Sequence, residues 1–195
     1  MTTENPTRRT ILATAAAAGL LGLAACSPVT LVQRAVEDRS AEDIAEDNRI
    51  VIGVNKLMAK YKTASVSTEI YEQRLLVYGI VDDKAVYDGF RSEIGNIAGI
   101  RKLYWQVKHM TEAQQEAEGD RMIGFAEGLK VKAEIEADWL NAEGVESLNF
   151  RVAVDPLGAA YVLGRAKSAT ERDRAIAVVR NTPRVRSVAD YIVVR

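Results

Sequence analysis

The chain has 195 residues, with 26 Lys and Arg against 27 Asp and Glu and a formal net charge of −1. That balance excludes a general nucleic-acid binder, which would carry a basic excess. The single cysteine excludes an internal disulfide, and the single histidine leaves little from which to build a His-based metal site or triad.

Residues 1–25 read as an export signal rather than as part of a fold. Arg8 and Arg9 form a positive start, followed by an apolar run from Ile11 to Ala25 that falls short of the ~20 residues needed to span a bilayer as a helix. Leu23-Ala24-Ala25-Cys26 then resembles the lipobox cut by lipoprotein signal peptidase. Small residues suit a narrow peptidase site, and the Cys26 thiol can form a thioether to diacylglycerol. Cys26 is the expected lipidation site, and its covalent lipid is the one non-protein group implied. Thr7-Arg8-Arg9-Thr10 also resembles a twin-arginine signal, so both export routes stay open. Ser27, where an Asp would favour retention in the inner membrane, points to the outer membrane, with the chain lipid-anchored on its periplasmic face. Two or three acyl chains give stable attachment. Residues 26–43 read as a tether. Without residues 1–25, which hold Glu4, Arg8 and Arg9, 24 basic and 26 acidic side chains remain.

The remainder is a repeat. Leu76-Val77-Tyr78-Gly79 and Tyr161-Val162-Leu163-Gly164 align at an offset of 85, which then pairs Asp88 with Asp173, Asn96 with Asn181 and Val107 with Ile192. One extra residue in the second copy's turn brings Val66, Thr68 and Ile70 onto Phe150, Val152 and Val154. The copies span about 44–109 and 121–195, joined by a linker at 110–120.

In chain order, Ser40 caps a helix whose apolar stripe is Ile44, Val51, Val54, Met58 and Tyr61. Val66-x-Thr68-x-Ile70 alternates as a strand, a turn at Tyr71–Arg74 follows, and Leu75 to Tyr78 form a second strand ending at Gly79. Asp83 can cap a second helix, which presents Phe90 and Ile94 inward and closes at Asn96, a residue that tolerates the left-handed conformation. Lys102 to Val107 form the last strand. The polar, helix-prone stretch from Thr111 to Asp120 is able to extend the next helix. The second copy repeats this order: Asp155-Pro156-Leu157-Gly158 is the hairpin turn, Ser168 with Glu171 reads as a capping box, Ala175 and Val179 face inward, and Asn181 closes the helix. The expected fold class is α+β, two tandem αββαβ units, each a three-stranded sheet packed against two helices.

A helix, two strands ending in apolar-x-Gly, a helix and an apolar-x-x-apolar strand entry resemble the BON domain. Its carriers are Val77-Tyr78-Gly79 with Ile100-x-x-Leu103, and Val162-Leu163-Gly164 with Val185-x-x-Val188. Two copies behind a lipobox are similar to the dual-BON outer-membrane lipoproteins of the DolP (YraP) group, to which soluble OsmY is related. The resemblance implies a non-enzymatic envelope protein that binds anionic phospholipid and supports outer-membrane integrity. In that group the second domain's first helix, with an aromatic near its start, faces lipid. Here Met122 and Phe125 stand where the aromatic belongs, and a Gly-containing stretch intervenes before Leu129. With the resemblance, the expected lipid contacts are Met122, Ile123, Phe125 and Trp139 for apolar insertion and Lys130, Lys132 and nearby Arg for headgroups. Trp139 is included because its ring suits a membrane interface, where it is half wet, with core packing as the alternative.

Residues 165–186 hold seven Lys and Arg against Glu171 and Asp173, a local excess of five. This is either an anionic-surface patch, at about 1 kcal/mol per basic residue, or a solvated helix face. His109 reads as a surface histidine, Asp82-Asp83 as turn and cap, and the lone Gly79 and Gly164 as positions needing unusual backbone rather than a phosphate loop. No catalytic or metal site is legible. The alternative function is an adaptor that docks a periplasmic or outer-membrane protein.

Overall fold

The computed structural model describes residues 39–195; Cys26, the signal segment and most of the tether lie outside the described residues. Helix α1 (Ala41–Tyr61) begins where the Ser40 hydroxyl accepts from the Asp43 amide at 3.0 Å, and ends at Lys62 in the left-handed conformation. Strands β1 (Val66–Tyr71) and β2 (Arg74–Val81) form an antiparallel hairpin, α2 (Lys84–Ile94) starts at the Asp83 cap, and β3 (Lys102–His109) pairs parallel to β2.

A short helix α3 (Glu112–Glu118) follows, then α4 (Gly124–Asn141), antiparallel strands β4 (Phe150–Val154) and β5 (Ala159–Ala166), α5 (Ala169–Asn181) and the parallel strand β6 (Ser187–Val194). The fold is mixed α+β, with two three-stranded sheets ordered β1-β2-β3 and β4-β5-β6 and five α-helices among the described residues.

The register repeats as well as the order. Val66 pairs with Gly79, and Gly79 with Val107; in the other sheet Phe150 pairs with Gly164, and Gly164 with Ile192. Gly79 and Gly164 have φ of 134° and 149°, and a Cβ on either would stand 2.2 Å from the Ser65 carbonyl oxygen or 2.3 Å from that of Asn149. Only glycine admits both the conformation and the approach.

One face of each sheet is covered by its helices. Ile50, Val54, Phe90 and Ile94 pack with Val66, Leu75 and Val77 in the first half. Val131, Ile135, Trp139, Ala175 and Val179 pack with Phe150, Val152 and Val162 in the second. The opposite faces meet each other: Tyr71, Leu76, Ala153, Tyr161 and Leu163 form a third buried cluster, edged by Tyr78, Tyr104 and Tyr191. The layers therefore run helices, sheet, sheet, helices. Tyr104 stacks on Tyr191 with ring centroids 3.9 Å apart, and Tyr78 meets Tyr161 at 6.2 Å. The repeat-equivalents of that last pair, Leu163 and Leu76, lie in the same cluster, as a two-fold relation requires.

Polar side chains are built into this seam and into the turns beside it. Glu72 and Gln73 hold the β1–β2 turn with φ of 51° and 60°, the geometry usually given to Asn-Gly. Buried Asp47 of α1 supports it, accepting from the Gln73 amide at 2.6 Å and the Glu72 amide at 3.1 Å while pairing with Arg39 at 2.6 Å. Lys108 reaches Asp155 across the seam at 3.2 Å, and the Tyr161 hydroxyl donates to the same carboxylate at 2.8 Å.

Several local expectations are corrected. Neither Asn96 nor Asn181 is left-handed; α2 passes through Gly95 in helical conformation and α5 ends on extended Thr182. The left-handed residues are instead Lys62, Gly99 and Arg184, where the chain reverses toward a strand. Ser168 accepts from the Glu171 amide at 3.1 Å, but the Glu171 carboxylate turns to the amides of Glu146 and Lys167, so the box is not reciprocal. The reciprocal capping box is Thr111 with Gln114. Helix α3 does not run into α4, because Gly119 at φ 49° breaks it and a 3-10 turn over Gly119–Arg121 intervenes.

Candidate functional site

The surface that stands out is the outer face of α4. Its start is fixed by backbone rather than by a side-chain cap: Gly124 is left-handed at φ 67°, and the Ile123 amide donates to the Pro156 carbonyl at 2.8 Å, tying the helix to the β4–β5 hairpin. Its inward face is Gly128, Val131, Ile135 and Trp139. Gly128 allows close approach to β4, since a Cβ there would lie 3.3 Å from the Val154 carbonyl.

The outward face is also apolar. Phe125 is 67% exposed, Leu129 51% and Leu140 72%, and Ala126, Ala133 and Ala137 lie exposed beside them. At 100° per residue these six share one side of the helix. Three of the five exposed large hydrophobic residues among the described residues thus sit on one element; the others are Ile52 and Val194. A helix apolar on two sides is one that normally has two partners.

The expected contact residues divide on inspection. Phe125 is presented to solvent, Met122 is half-buried, and Lys130 is exposed, 3.4 Å from Glu127. Ile123 is a core residue at 8% exposure, which corrects its assignment to an external contact. Trp139 is 1% exposed, packs on Phe150 with ring centroids 5.7 Å apart and donates from Nε1 to the Ala175 carbonyl at 2.9 Å. It belongs to the core and is withdrawn from any surface. Lys132 is half-buried and its ammonium is held by Glu69 of β1, with Glu136 at 3.9 Å, so it binds the halves together instead of reaching outward. Beneath Phe125 and Leu129, Ser65, Ser67, Tyr78 and Pro156 line a slot of about 20 Å³, room for about one water and no more.

The basic stretch shrinks in the same way. Arg165 donates to Glu72 at 3.0 Å, Arg172 pairs with Asp190 at 2.7 Å, Arg174 donates to the Glu143 carbonyl at 3.1 Å and Lys167 lies 3.9 Å from Glu146. Arg180, Arg184 and Arg186 remain exposed without an ion pair among the described residues. Arg184 and Arg186 flank Gly158, and the Arg186 amide donates to the Gly158 carbonyl at 2.8 Å. The hairpin that holds the start of α4 through Pro156 thus also carries these two arginines.

Elsewhere, the His109 ring donates to the Asp82 carbonyl at 3.0 Å, and Asp83 caps α2. An open groove of about 310 Å³ between α1 and α2 is crossed by the Lys60–Glu93 pair at 2.6 Å. Among the described residues no group of three His, Cys, Asp or Glu is placed to hold a metal ion, and no helix is long and apolar enough to cross a membrane.

A BON domain is found at residues 129–195, from within α4 to the chain's last residue. No curated protein sequence matches the chain. Two solved structures of CdsD, a structural protein of the type III secretion system of Chlamydia trachomatis, are similar to it. One is 10% identical over 75% of this chain and 92% of that chain, with a TM-score of 0.30. The other, of the C-terminal domain, is 11% identical over 75% and 97%, also at 0.30.

Proposed function

We propose that the chain is an envelope lipoprotein, lipidated on Cys26 and held on the periplasmic face of the outer membrane, that docks peripherally on anionic phospholipid through α4. In this reading both αββαβ halves are BON domains, as in the DolP-like lipoproteins, and the protein is not an enzyme. The observation that carries it is the unpartnered apolar face of Phe125, Leu129 and Leu140 on the helix that opens the BON match. A large apolar side chain moved fully out of water contributes about 1.5–3 kcal/mol. Phe125 and Leu129 at the helix start, with Arg184 and Arg186 beside the same hairpin, combine apolar insertion with attraction to headgroups.

The charged residues of α4 set the orientation. They are Glu127, Glu134, Glu136 and Asp138 against Lys130 and Lys132, so the acidic C-terminal part is repelled by an anionic surface and the start of the helix leads. That acidity also favours a second reading, an adaptor whose protein partner covers the same face.

The described residues, 39–195, form one compact unit with its own cores, so a fragment beginning at Ser27 keeps the fold. Flotation of that fragment with phosphatidylglycerol-containing vesicles should exceed flotation with phosphatidylcholine alone, and Phe125→Ser with Leu129→Ser should abolish it while leaving the circular dichroism unchanged. Equal recovery with both vesicle types, unaffected by the double substitution, would reject lipid docking.

A further inference from the structure

Glu136 interrupts the apolar stripe from inside. It follows Leu129 by seven residues and precedes Leu140 by four, so it shares their side of α4, one turn beyond Ala133. Its side chain is half exposed and makes one loose ion pair among the described residues, 3.9 Å to the Lys132 ammonium. That ammonium is engaged more closely by Glu69. The charged groups around Glu136 are Lys132 on its own helix, Glu69 on β1 and Arg151 on β4. The neighbouring helix α5 directs Arg172 to Asp190, Arg174 to the Glu143 carbonyl and Glu171 to backbone amides. Glu127, Glu134 and Asp138 point to the flank, where they stay hydrated when the apolar face is covered.

An ionised carboxylate without a full partner cannot be covered by hydrocarbon cheaply, whereas its protonated form can. We propose that Glu136 is a proton-operated gate on this face: ionised, it limits docking to Phe125 and Leu129; protonated, it lets the helix settle as far as Leu140. The inference rests on the lipid-docking reading above. The proton comes from solvent onto a Glu136 carboxyl oxygen and is released again when the helix lifts. Partial burial already holds this carboxyl above the ordinary range, ahead of the opposing pull of Lys132, so the gate is poised toward neutrality before any lipid arrives.

The test uses the fragment beginning at Ser27 and vesicles of phosphatidylcholine with a fixed share of phosphatidylglycerol, whose phosphate keeps its charge over the range used. Wild-type binding should tighten as pH falls from about 7.5 to about 5, by at most about tenfold per pH unit for one proton. Glu136→Gln should bind tightly at every pH with a flat profile. An environment-sensitive dye on Leu140→Cys, the sole cysteine of that fragment, should report burial only at low pH in the wild-type background and at all pH values beside Glu136→Gln. The same pH slope in Glu136→Gln as in wild type, or a dye signal indifferent to that substitution, overturns the gate while leaving docking intact. If neither protein binds at any pH, the docking reading itself falls and takes the gate with it.

Discussion

The Arg74 guanidinium donates to the carbonyl oxygen of Gly164 at 2.8 Å, joining the first residue of β2 to the last turn of the β5 ladder across the seam. Its other terminal nitrogen donates to the Tyr191 carbonyl, also at 2.8 Å. The two halves are therefore fastened sheet to sheet. Hydrogen bonds to a charged group are each worth about 1.5–3 kcal/mol. Arg74→Ala also removes one of the cations around Glu72, itself 3% exposed. We expect a loss of about 3 kcal/mol in urea unfolding, with the two halves ceasing to melt together. A single unchanged transition would show that the apolar seam alone couples them.

Gly79 and Gly164 make matched demands in the two halves. Replacing either with Ala puts a methyl group into a backbone oxygen at a φ of 134° or 149°. Overpacking and backbone strain each cost about 1–3 kcal/mol, so each variant should lose roughly 3 kcal/mol or more. Thermal melting of both variants checks the pairing: similar losses are expected, and a neutral Gly164→Ala would mean that the second half is not built as the first.

The order of elements, the offset of the copies and the inward residues of α2 and α5 could all be read from periodicity, because each helix there has one buried side. The seam was less legible. Leu75-Leu76-Val77-Tyr78 and Tyr161-Val162-Leu163 are apolar without alternation, the mark of strands covered on both faces, yet alternation in β1 and β4 pointed to one covered face. Trp139 and Ile123 go to the wrong side on sequence for a related reason: α4 is apolar on two sides, and periodicity does not say which side packs on the core. Asp47 and Asp155 give no signal, since a buried carboxylate that accepts backbone amides looks like any surface acid until the turn it supports is seen.

Asp47 offers a direct check on that last point. Its carboxylate compensates a two-residue turn that lacks glycine, so Asp47→Ala should cost about 3 kcal/mol by stranding the Glu72 and Gln73 amides and Arg39. Adding Gln73→Gly, which relieves the left-handed φ of 60°, should recover up to about 1 kcal/mol. Double-mutant analysis of chemical denaturation measures this; purely additive effects would deny the link between carboxylate and turn.

Alkali should open the seam. Burial pushes the Tyr78 hydroxyl up to about 12. Burial, followed by the Asp155 charge, raises Tyr161, and burial raises Tyr191. Each phenol holds its proton more tightly folded than unfolded, so its contribution is complete below about pH 10, the unfolded value, and is lost as pH rises through the folded values. Of the seven tyrosines, Tyr78 and Tyr161 should ionise only as the fold melts, and Tyr191 later than an exposed phenol. Phenolate absorbance followed beside circular dichroism tests this: full titration near pH 10 with the fold intact would contradict the burial.

Trp139 separates a structural tryptophan from a membrane-facing one. Its ring fills the core between α4, α5 and β4, and its Nε1–H is committed to the Ala175 carbonyl. Trp139→Ala should therefore cost about 3–5 kcal/mol. Trp139→Phe should cost less, since the ring volume is largely kept while the hydrogen bond, worth about 1 kcal/mol, is lost. In a Trp105→Phe background Trp139 is the single tryptophan, and its emission should be blue-shifted, poorly quenched by acrylamide and unchanged when vesicles are added. A tryptophan placed at Phe125 should instead shift on docking. Were Trp139 itself to respond to lipid with the fold intact, α4 would have to rotate out of its core on binding, and the outward stripe would no longer be the surface that docks.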